Sequence, residues 1–194
     1  MSSEDLKTEN KFKVFLTESK KYLKLIISLV VTLLLILILI FFLNHRAQKQ
    51  NVIISEQFNK ANILINNKND LDAKNILIDI VNKKNKFYSP LSLFLIVEEE
   101  LIKDEQEVIK LFDKVISIKK IDRENLNLIK IKKALFLFQN GNEEEILAIL
   151  NPIINSESLW RRDAIKLLSE YFLYTGEKLK SDEYKSLLNS VKTK

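Results

Sequence analysis

The stretch that decides the fold is Leu25–Leu43, LIISLVVTLLLILILIFFL, which holds 19 consecutive residues without a charge. Only Ser28 and Thr32 carry a polar side chain within it. As a helix rising about 1.5 Å per residue, it covers roughly 28 Å, close to the hydrocarbon thickness of a bilayer. A soluble helix of this length normally carries a polar stripe, and this stretch has none. We therefore predict that residues Leu25 to Leu43 form a transmembrane helix that faces lipid.

A cleaved signal peptide is the alternative interpretation of an apolar stretch near the start of a chain. Signal peptides have an apolar core of about 7–15 residues, followed by small residues at the cleavage site. Here the apolar run is longer, and residues 44–49, NHRAQK, offer no such site. We expect the segment to stay attached to the rest of the chain.

Basic residues on the two sides of the span predict its orientation. Four lysines precede it closely and two basic residues follow it: Lys13, Lys20, Lys21 and Lys24, then Arg46 and Lys49. Basic residues favour the cytoplasmic side, so residues 1–24 are predicted to form a short cytoplasmic tail. Its apolar residues from Phe12 onward have helical spacing, which favours an amphipathic segment at the membrane surface, with a cytoplasmic docking site as the alternative. Residues 44–194 would then lie across the membrane, in the periplasm of a bacterium that has two membranes.

Composition excludes several classes of function for the remaining 150 or so residues. The chain has 31 Lys and Arg against 26 Asp and Glu, spread along its length, so its charge is weak evidence for nucleic-acid binding. It has no Cys and a single His, His45, beside the span, and it carries no phosphate-binding loop or zinc-ligand spacing. We expect no cofactor, no metal, no small-molecule substrate and no catalysis. Two Gly and two Pro leave few tight turns, which disfavours a β-rich fold.

Apolar stripes with helical spacing recur along this region. The clearest are Ala73-Ile76-Leu77-Ile80-Val81, Val108-Leu111-Phe112-Val115, Ile146-Leu147-Leu150-Ile153-Ile154, Trp160-Ala164-Leu167-Leu168-Tyr171 and Tyr184-Leu187-Leu188-Val191. They predict antiparallel helix pairs over about 50–84, 90–118, 122–155 and 158–191. The turns inside the pairs fall at Asn69, Lys103, Gly141 and Gly176, at intervals of 34, 38 and 35 residues. A period near 34 is typical of tetratricopeptide-type arrays, so the predicted fold is all-α, a transmembrane helix followed by an α-solenoid over 44–194. An unrelated helical bundle with accidental spacing is the alternative.

Local signals refine these boundaries. Pro90 predicts the start of a helix over 91–102, because its missing N–H is harmless there. Gly141 suits a left-handed residue after a helix, and Asn142 suits the N-cap of the next one. The run Glu98-Glu99-Glu100 falls on the helix that follows Pro90, and we interpret it as a solvated face, with contact to a basic partner as the alternative.

The C-terminal part resembles a known bacterial family. The resemblance rests on Asn151-Pro152-Ile153-Ile154, Leu159-Trp160-Arg161-Arg162-Asp163-Ala164, Leu167-Leu168, Gly176 and Leu187-Leu188, together with Phe12 and Tyr22 before the span. These residues are similar to those of inner-membrane proteins with a tetratricopeptide-like periplasmic domain, typified by the ancillary subunit of the SecYEG translocon. Leu159 stands where the family's P-W-R-x-x-A-x-x-L-L-type motif has Pro. The resemblance implies a scaffold that links the Sec translocon to periplasmic chaperones.

Two classes of function follow for a chain of this kind. The first is a membrane-anchored protein-interaction scaffold, whose repeat-built groove holds a protein partner. The second is an envelope-organising or cell-division-associated structural protein. Trp160 is predicted to be a core residue, with the heads of Arg161 and Arg162 near water. The alternative is that Trp160, Arg161 and Arg162 contact the partner.

Overall fold

The computed structural model describes residues 3–139, 141 and 143–190, and every described element is helical. Side chains are described for these residues except 3–21, 25, 26, 43, 44, 47 and 190. The helices are α1 Ser3–Asn66, α2 Asp70–Asn82, α3 Tyr88–Glu98, α4 Glu105–Ile116, α5 Arg123–Phe136, α6 Glu143–Ile154, α7 Arg161–Tyr174 and α8 Lys178–Ser190. The prediction of an all-α protein is confirmed over the described residues.

Residues up to Ile53 form one of two compact units, and this unit contains the apolar stretch. Tyr22–Phe42 is the one helical segment of the described chain that is long and apolar enough to cross a membrane, with a mean hydropathy of 3.4. None of its 18 most apolar consecutive residues is buried. The polar side chain of Thr32 is accommodated within the helix, since its hydroxyl donates to the backbone carbonyl of Ser28 at 2.9 Å. The side chains of Leu25 and Leu43, the predicted ends of the span, and that of Phe12 in the tail lie outside those described.

The second unit begins at Ile54 and contains the end of α1 with helices α2 to α8. From α2 onward each helix packs against the next one along the chain, and α2 also contacts α4 while α5 also contacts α7. The end of α1 joins the apolar core of this unit through Ala61, and α1 ends at Asn66, before the turn predicted at Asn69. Packing in chain order is what short connections between antiparallel helices favour.

Two apolar clusters form the core of this unit, and α5 contributes to both. Ile129 of α5 joins the cluster built from the end of α1 and from α2, α3 and α4. Ala134 of α5 and the adjoining Leu137 join the cluster built from α6 and α7. The predicted stripes account for most of the buried residues, among them Ala73, Leu77, Ile80, Val81, Val108, Leu111, Phe112, Val115, Ile146, Leu150, Ile153, Ile154, Ala164, Leu167, Leu168 and Tyr171. In the last stripe Leu187 is exposed instead, and Val191 lies outside the described residues.

Four helices are followed by a left-handed residue that turns the chain toward the next helix. These residues are Lys68, Lys84, Glu100 and Gly176, with φ of 59°, 53°, 48° and 84°. After Lys68, Glu100 and Gly176 the next N–H bonds the carbonyl five residues back, as in Leu101 to Ile96 at 3.0 Å, which satisfies a carbonyl that the helix leaves free. Gly176 therefore lies at the turn predicted inside the last pair.

Three local predictions need correction. Helix α3 begins at Tyr88, so Pro90 is its third residue, where the helix still needs no N–H donor. The same helix ends at Glu98 rather than near residue 102, because Glu100 turns left-handed. Gly141 is not left-handed, since Gly176 is the only described glycine with positive φ. Its glycine requirement is steric: a Cβ there would lie 2.7 Å from the Leu137 carbonyl oxygen. The predicted cap Asn142 lies outside the described residues.

Candidate protein-binding groove

A groove runs along one side of the second unit, and helix α3 forms its first wall. Phe94, Val97 and Glu98 line it, at the i, i+3, i+4 spacing that places side chains on one helical face. Phe94 and Val97 are half-buried, while Glu98 is exposed at the last residue of the helix. An apolar floor and a charged edge therefore come from a single turn of helix.

Helix α5 repeats this arrangement on the opposite wall. Lys132, Leu135 and Phe136 line the groove at the same i, i+3, i+4 spacing. Leu135 is 57% exposed, which is high for a leucine in the middle of a helical domain. The Lys132 ammonium lies 4.9 Å from the centre of the Phe94 ring, a cation–π contact that crosses from one wall to the other.

The groove continues toward α7 and the turn between α3 and α4. Leu167 and Glu170 of α7 line this part, with Phe138 and Gln139 just after α5. The turn adds Glu100, Ile102 and Lys103, and α4 adds Glu105. The two parts have volumes of about 580 and 280 Å³ and share Val97, Leu135 and Phe136 as lining residues, so they form one continuous surface.

Carboxylates outnumber amines around the groove. Its lining contains Glu98, Glu100, Glu105 and Glu170 against Lys103 and Lys132, a local charge of −2 in a chain whose net charge is +5. Lys103 donates to the Glu100 carboxylate at 2.9 Å, and this bond lowers the pKa of Glu100 below its ordinary value. Glu170 has an exposed i, i+4 partner, Lys166, at 3.8 Å. The lining is therefore anionic at neutral pH.

A buried lysine holds α5 in place behind the groove. The Lys133 ammonium, with a side chain 9% exposed, lies 2.9 Å from Asp113 of α4 and 3.2 Å from Glu145 of α6. A buried ammonium needs such partners, because without them its charge would be uncompensated. This ion cluster links α5 to α4 and to α6.

The structure places Trp160, Arg161 and Arg162 at the start of α7, outside the groove lining. Trp160 is the N-cap residue of α7 and is half-buried against the second core cluster. Arg162 is exposed, and the Arg161 side chain is partly buried with an Nε that has no hydrogen-bond partner among the described residues. The prediction of a core Trp160 beside Arg heads near water thus fits Trp160 and Arg162, while Arg161 is less exposed than expected. Whether the three contact a partner stays a prediction.

A small polar network fixes this corner of the fold. The Ser158 hydroxyl donates to Glu124 at 2.6 Å and accepts from Asn127 at 3.0 Å and from the Trp160 N–H at 3.2 Å. The Leu159 N–H donates to the same Glu124 oxygen at 3.0 Å. These bonds, chiefly the one from Ser158, lower the pKa of Glu124. The network links the start of α5 to the start of α7, which explains the position of Trp160 without any partner.

No group of three metal-binding side chains occurs among the described residues. His45 is exposed, and its ring stacks on Phe41 of the same helix at a centroid distance of 6.3 Å. The expected lack of metal, cofactor and catalysis stays a prediction, since the described contacts do not test it.

The sequence pattern singled out Glu98 and Glu100, as a solvated face or as a contact to a basic partner, but it did not single out the apolar groove residues Val97, Leu135 and Phe136. A usable signal was present: Phe94-Val97-Glu98 and Lys132-Leu135-Phe136 both combine apolar and charged residues at i, i+3, i+4. Single stripes of this kind look like ordinary core faces until two helices bring them together. Only the packing shows that Leu135 stays uncovered.

Fold and site together define a class: over the described residues, an all-helical protein with one segment apolar enough to span a membrane and, in its second unit, a groove with an apolar floor and an anionic edge. Comparisons with protein families, curated proteins and solved structures find no match to this chain. The resemblance to translocon-associated repeat proteins therefore stays an expectation.

Proposed function

We propose that this protein is a single-pass, membrane-anchored scaffold that holds a protein partner in the groove between α3, α5 and α7. The observation that carries the proposal is the exposed apolar floor at Leu135, continuous with Val97 and Phe136. Apolar surface gathered in a concave, partly charged site marks a place where another molecule binds.

The proposed architecture is a solenoid of tetratricopeptide-like helix pairs. Support comes from helices that pack in chain order and from left-handed turns at Lys68, Glu100 and Gly176, which end the first helix of three of the four predicted pairs. The groove is lined by α3, α5 and α7, the first helices of three successive pairs, which is how stacked helix pairs build a binding surface.

The proposed location is the inner membrane of a bacterium, with the N-terminus in the cytoplasm and residues 44–194 in the periplasm. Support comes from the excess of lysine before Leu25. A reporter fused after Lys194 should be active only when exported, and activity confined to the cytoplasm would overturn this orientation. Adding lysines after Asn44 should weaken the preference.

The proposed partners are the Sec translocon and a periplasmic chaperone, which the sequence resemblance implies. A photo-crosslinking amino acid at Leu135 should capture translocon subunits or chaperones in intact cells. The matched control is the same amino acid at Leu159, which is 78% exposed and lies outside the groove. Capture of division factors or peptidoglycan enzymes from Leu135 would favour an envelope-organising role. Equal capture from both positions would remove the groove from the proposal.

A further inference from the structure

Three glutamates at the end of α3 stand where helix electrostatics disfavour them. Glu98 is the last residue of α3, Glu99 is its C-cap and Glu100 follows in the left-handed conformation. The C-terminal end of a helix carries partial negative charge, so acidic residues there reduce stability and basic residues raise it. Of the three, only Glu100 has a cationic partner within the part of the chain that the structure describes, and both side chains of this pair, Glu100 and Lys103, are exposed. Local stability therefore does not explain this acidic run.

Two of these glutamates reach the groove and join two others at its edge. Glu98 lines the part beside Phe94, and Glu100 lines the larger part together with Glu105 and Glu170. Carboxylates thus occur along α3, α4 and α7, so the negative charge follows the groove rather than one of its ends. The apolar residues between these carboxylates, Leu135 among them, carry no charge, so the charge that a partner meets comes from the edge of the groove.

We infer that the groove selects a protein segment in which apolar side chains alternate with Lys or Arg. Leu, Phe or similar side chains of the segment would cover Val97, Leu135 and Phe136. Its ammonium or guanidinium groups would lie against Glu98 and Glu170 at the edge. Acidic segments of equal hydrophobicity would be rejected, because their carboxylates would face a lining of charge −2. The inference rests on the proposed function, since it names the partner chemistry of the same groove.

The test uses the full chain in nanodiscs of zwitterionic lipid, with two fluorescein-labelled peptides as probes. Both peptides are amphipathic and about 15 residues long, with Leu and Phe at i, i+3 and i+4, the spacing used for groove binding. One peptide carries Lys on the faces without Leu and Phe, and the matched peptide carries Glu at the same positions. Fluorescence anisotropy measures binding, and empty nanodiscs correct for peptide that binds lipid. We expect the Lys peptide to bind and the Glu peptide to bind at least about tenfold more weakly.

Charge reversal tests the carboxylates at the edge of the groove separately from its apolar floor. Glu98→Lys with Glu170→Lys should weaken the Lys peptide about threefold to tenfold, strengthen the Glu peptide, and reduce the salt dependence of binding. Glu98→Lys should not destabilise α3, because it places a cation where the helix end favours one, whereas Glu170→Lys loses the exposed pair with Lys166 and should reduce stability only slightly. The matched control reverses Glu157 and Glu183, which are exposed and do not line the groove.

Truncation of the floor completes the test. Leu135→Ser should weaken the Lys peptide, while Leu159→Ser should not, although both leucines are exposed. Two results overturn the inference: equal binding of the two peptides, or a Lys peptide that is insensitive to the double reversal. The Leu135 crosslink to a cellular partner keeps the proposed function separate. If the crosslink survives the double reversal but the peptide preference fails, only the partner chemistry is rejected. If Leu135 gives no crosslink while Glu98 and Glu170 are intact, the groove itself is rejected.

Discussion

Two apolar helical stretches of this chain differ in whether protein covers their apolar side chains. Tyr22–Phe42 spans 21 residues and none of its 18 most apolar residues is buried, whereas α3, Tyr88–Glu98, is a shorter apolar helix with five buried residues, Leu93 and Ile96 among them. At about 1.5 Å per residue, the 11 residues of α3 cover roughly 16 Å and cannot cross a bilayer. The difference teaches that protein can cover a short apolar helix, whereas a helix left uncovered by protein over 18 apolar residues is long enough to cross a bilayer.

The largest expected effect comes from placing charge in the long stretch. Leu34→Lys with Leu37→Lys should release the chain from the membrane, because each central lysine costs about 2.5–3.5 kcal/mol of insertion free energy. The carbonate-resistant fraction of the protein measures this effect. The control is Leu71→Lys with Leu159→Lys, which adds the same charge at exposed positions outside the stretch. If the variant with Leu34→Lys and Leu37→Lys stayed fully carbonate-resistant, we would conclude that Tyr22–Phe42 does not lie in lipid.

A cavity in the short stretch should have the next largest effect. Leu93 is fully buried in α3, so Leu93→Ala should lower the free energy of unfolding by about 2–5 kcal/mol. Leu91 of the same helix is 46% exposed, and Leu91→Ala should cost less than about 1 kcal/mol. The fluorescence of Trp160, the only tryptophan, reports unfolding of the second unit alone. Equal costs at the two positions would mean that α3 is not packed as described.

Two buried serines of α3 allow a finer test of its packing. The Ser89 hydroxyl donates to the Ile80 carbonyl at 2.8 Å, so Ser89→Ala should cost about 1 kcal/mol. The Ser92 hydroxyl is buried without a hydrogen-bond partner among the described residues, so Ser92→Ala should be neutral or stabilising by up to about 1 kcal/mol. Thermal denaturation followed by Trp160 fluorescence compares the two variants. A larger loss from Ser92→Ala than from Ser89→Ala would reverse these assignments.

Lowering the pH should have the smallest effect, and it should affect the second unit but not the apolar stretch. The pKa of Glu124 lies below its ordinary value of 4.5, so its ionised form is favoured in the folded state. Its contribution is complete above pH 4.5 and is lost as the pH falls through the lowered pKa. The pKa values of Asp122 and Glu100 are lowered too and act in the same direction.

The measurement is the melting temperature of the second unit between pH 7 and pH 3. Glu124→Gln should flatten the acid side of this profile, and Glu144→Gln, at an exposed carboxylate of α6, should leave it unchanged. Residues 25–43 hold no titratable side chain, so carbonate resistance should not depend on these substitutions. A profile that keeps its full acid slope in Glu124→Gln would exclude this network as a source of the pH dependence.

The sequence by itself determined the all-helical class, the apolar stretch and most of the buried stripes. Helical periodicity is a local property: Val108, Leu111, Phe112 and Val115 share a face whatever surrounds them, and all four are buried. The end of α7 was likewise predictable, because Gly176 tolerates a positive φ that other residues resist.

Tertiary structure alone decided the rest. The end of α3 could not be read from its residues, because Glu100 adopts the left-handed conformation despite having a Cβ. Gly141 is required by the approach of the Leu137 carbonyl, a distance that no local rule supplies. The groove is the clearest case: Leu135 and Leu137 are neighbours of the same type, yet one is 57% exposed and the other 4%. Which of them is covered depends on where α4, α6 and α7 lie around α5, and that placement rests on distant partners such as Asp113 and Glu145 of Lys133.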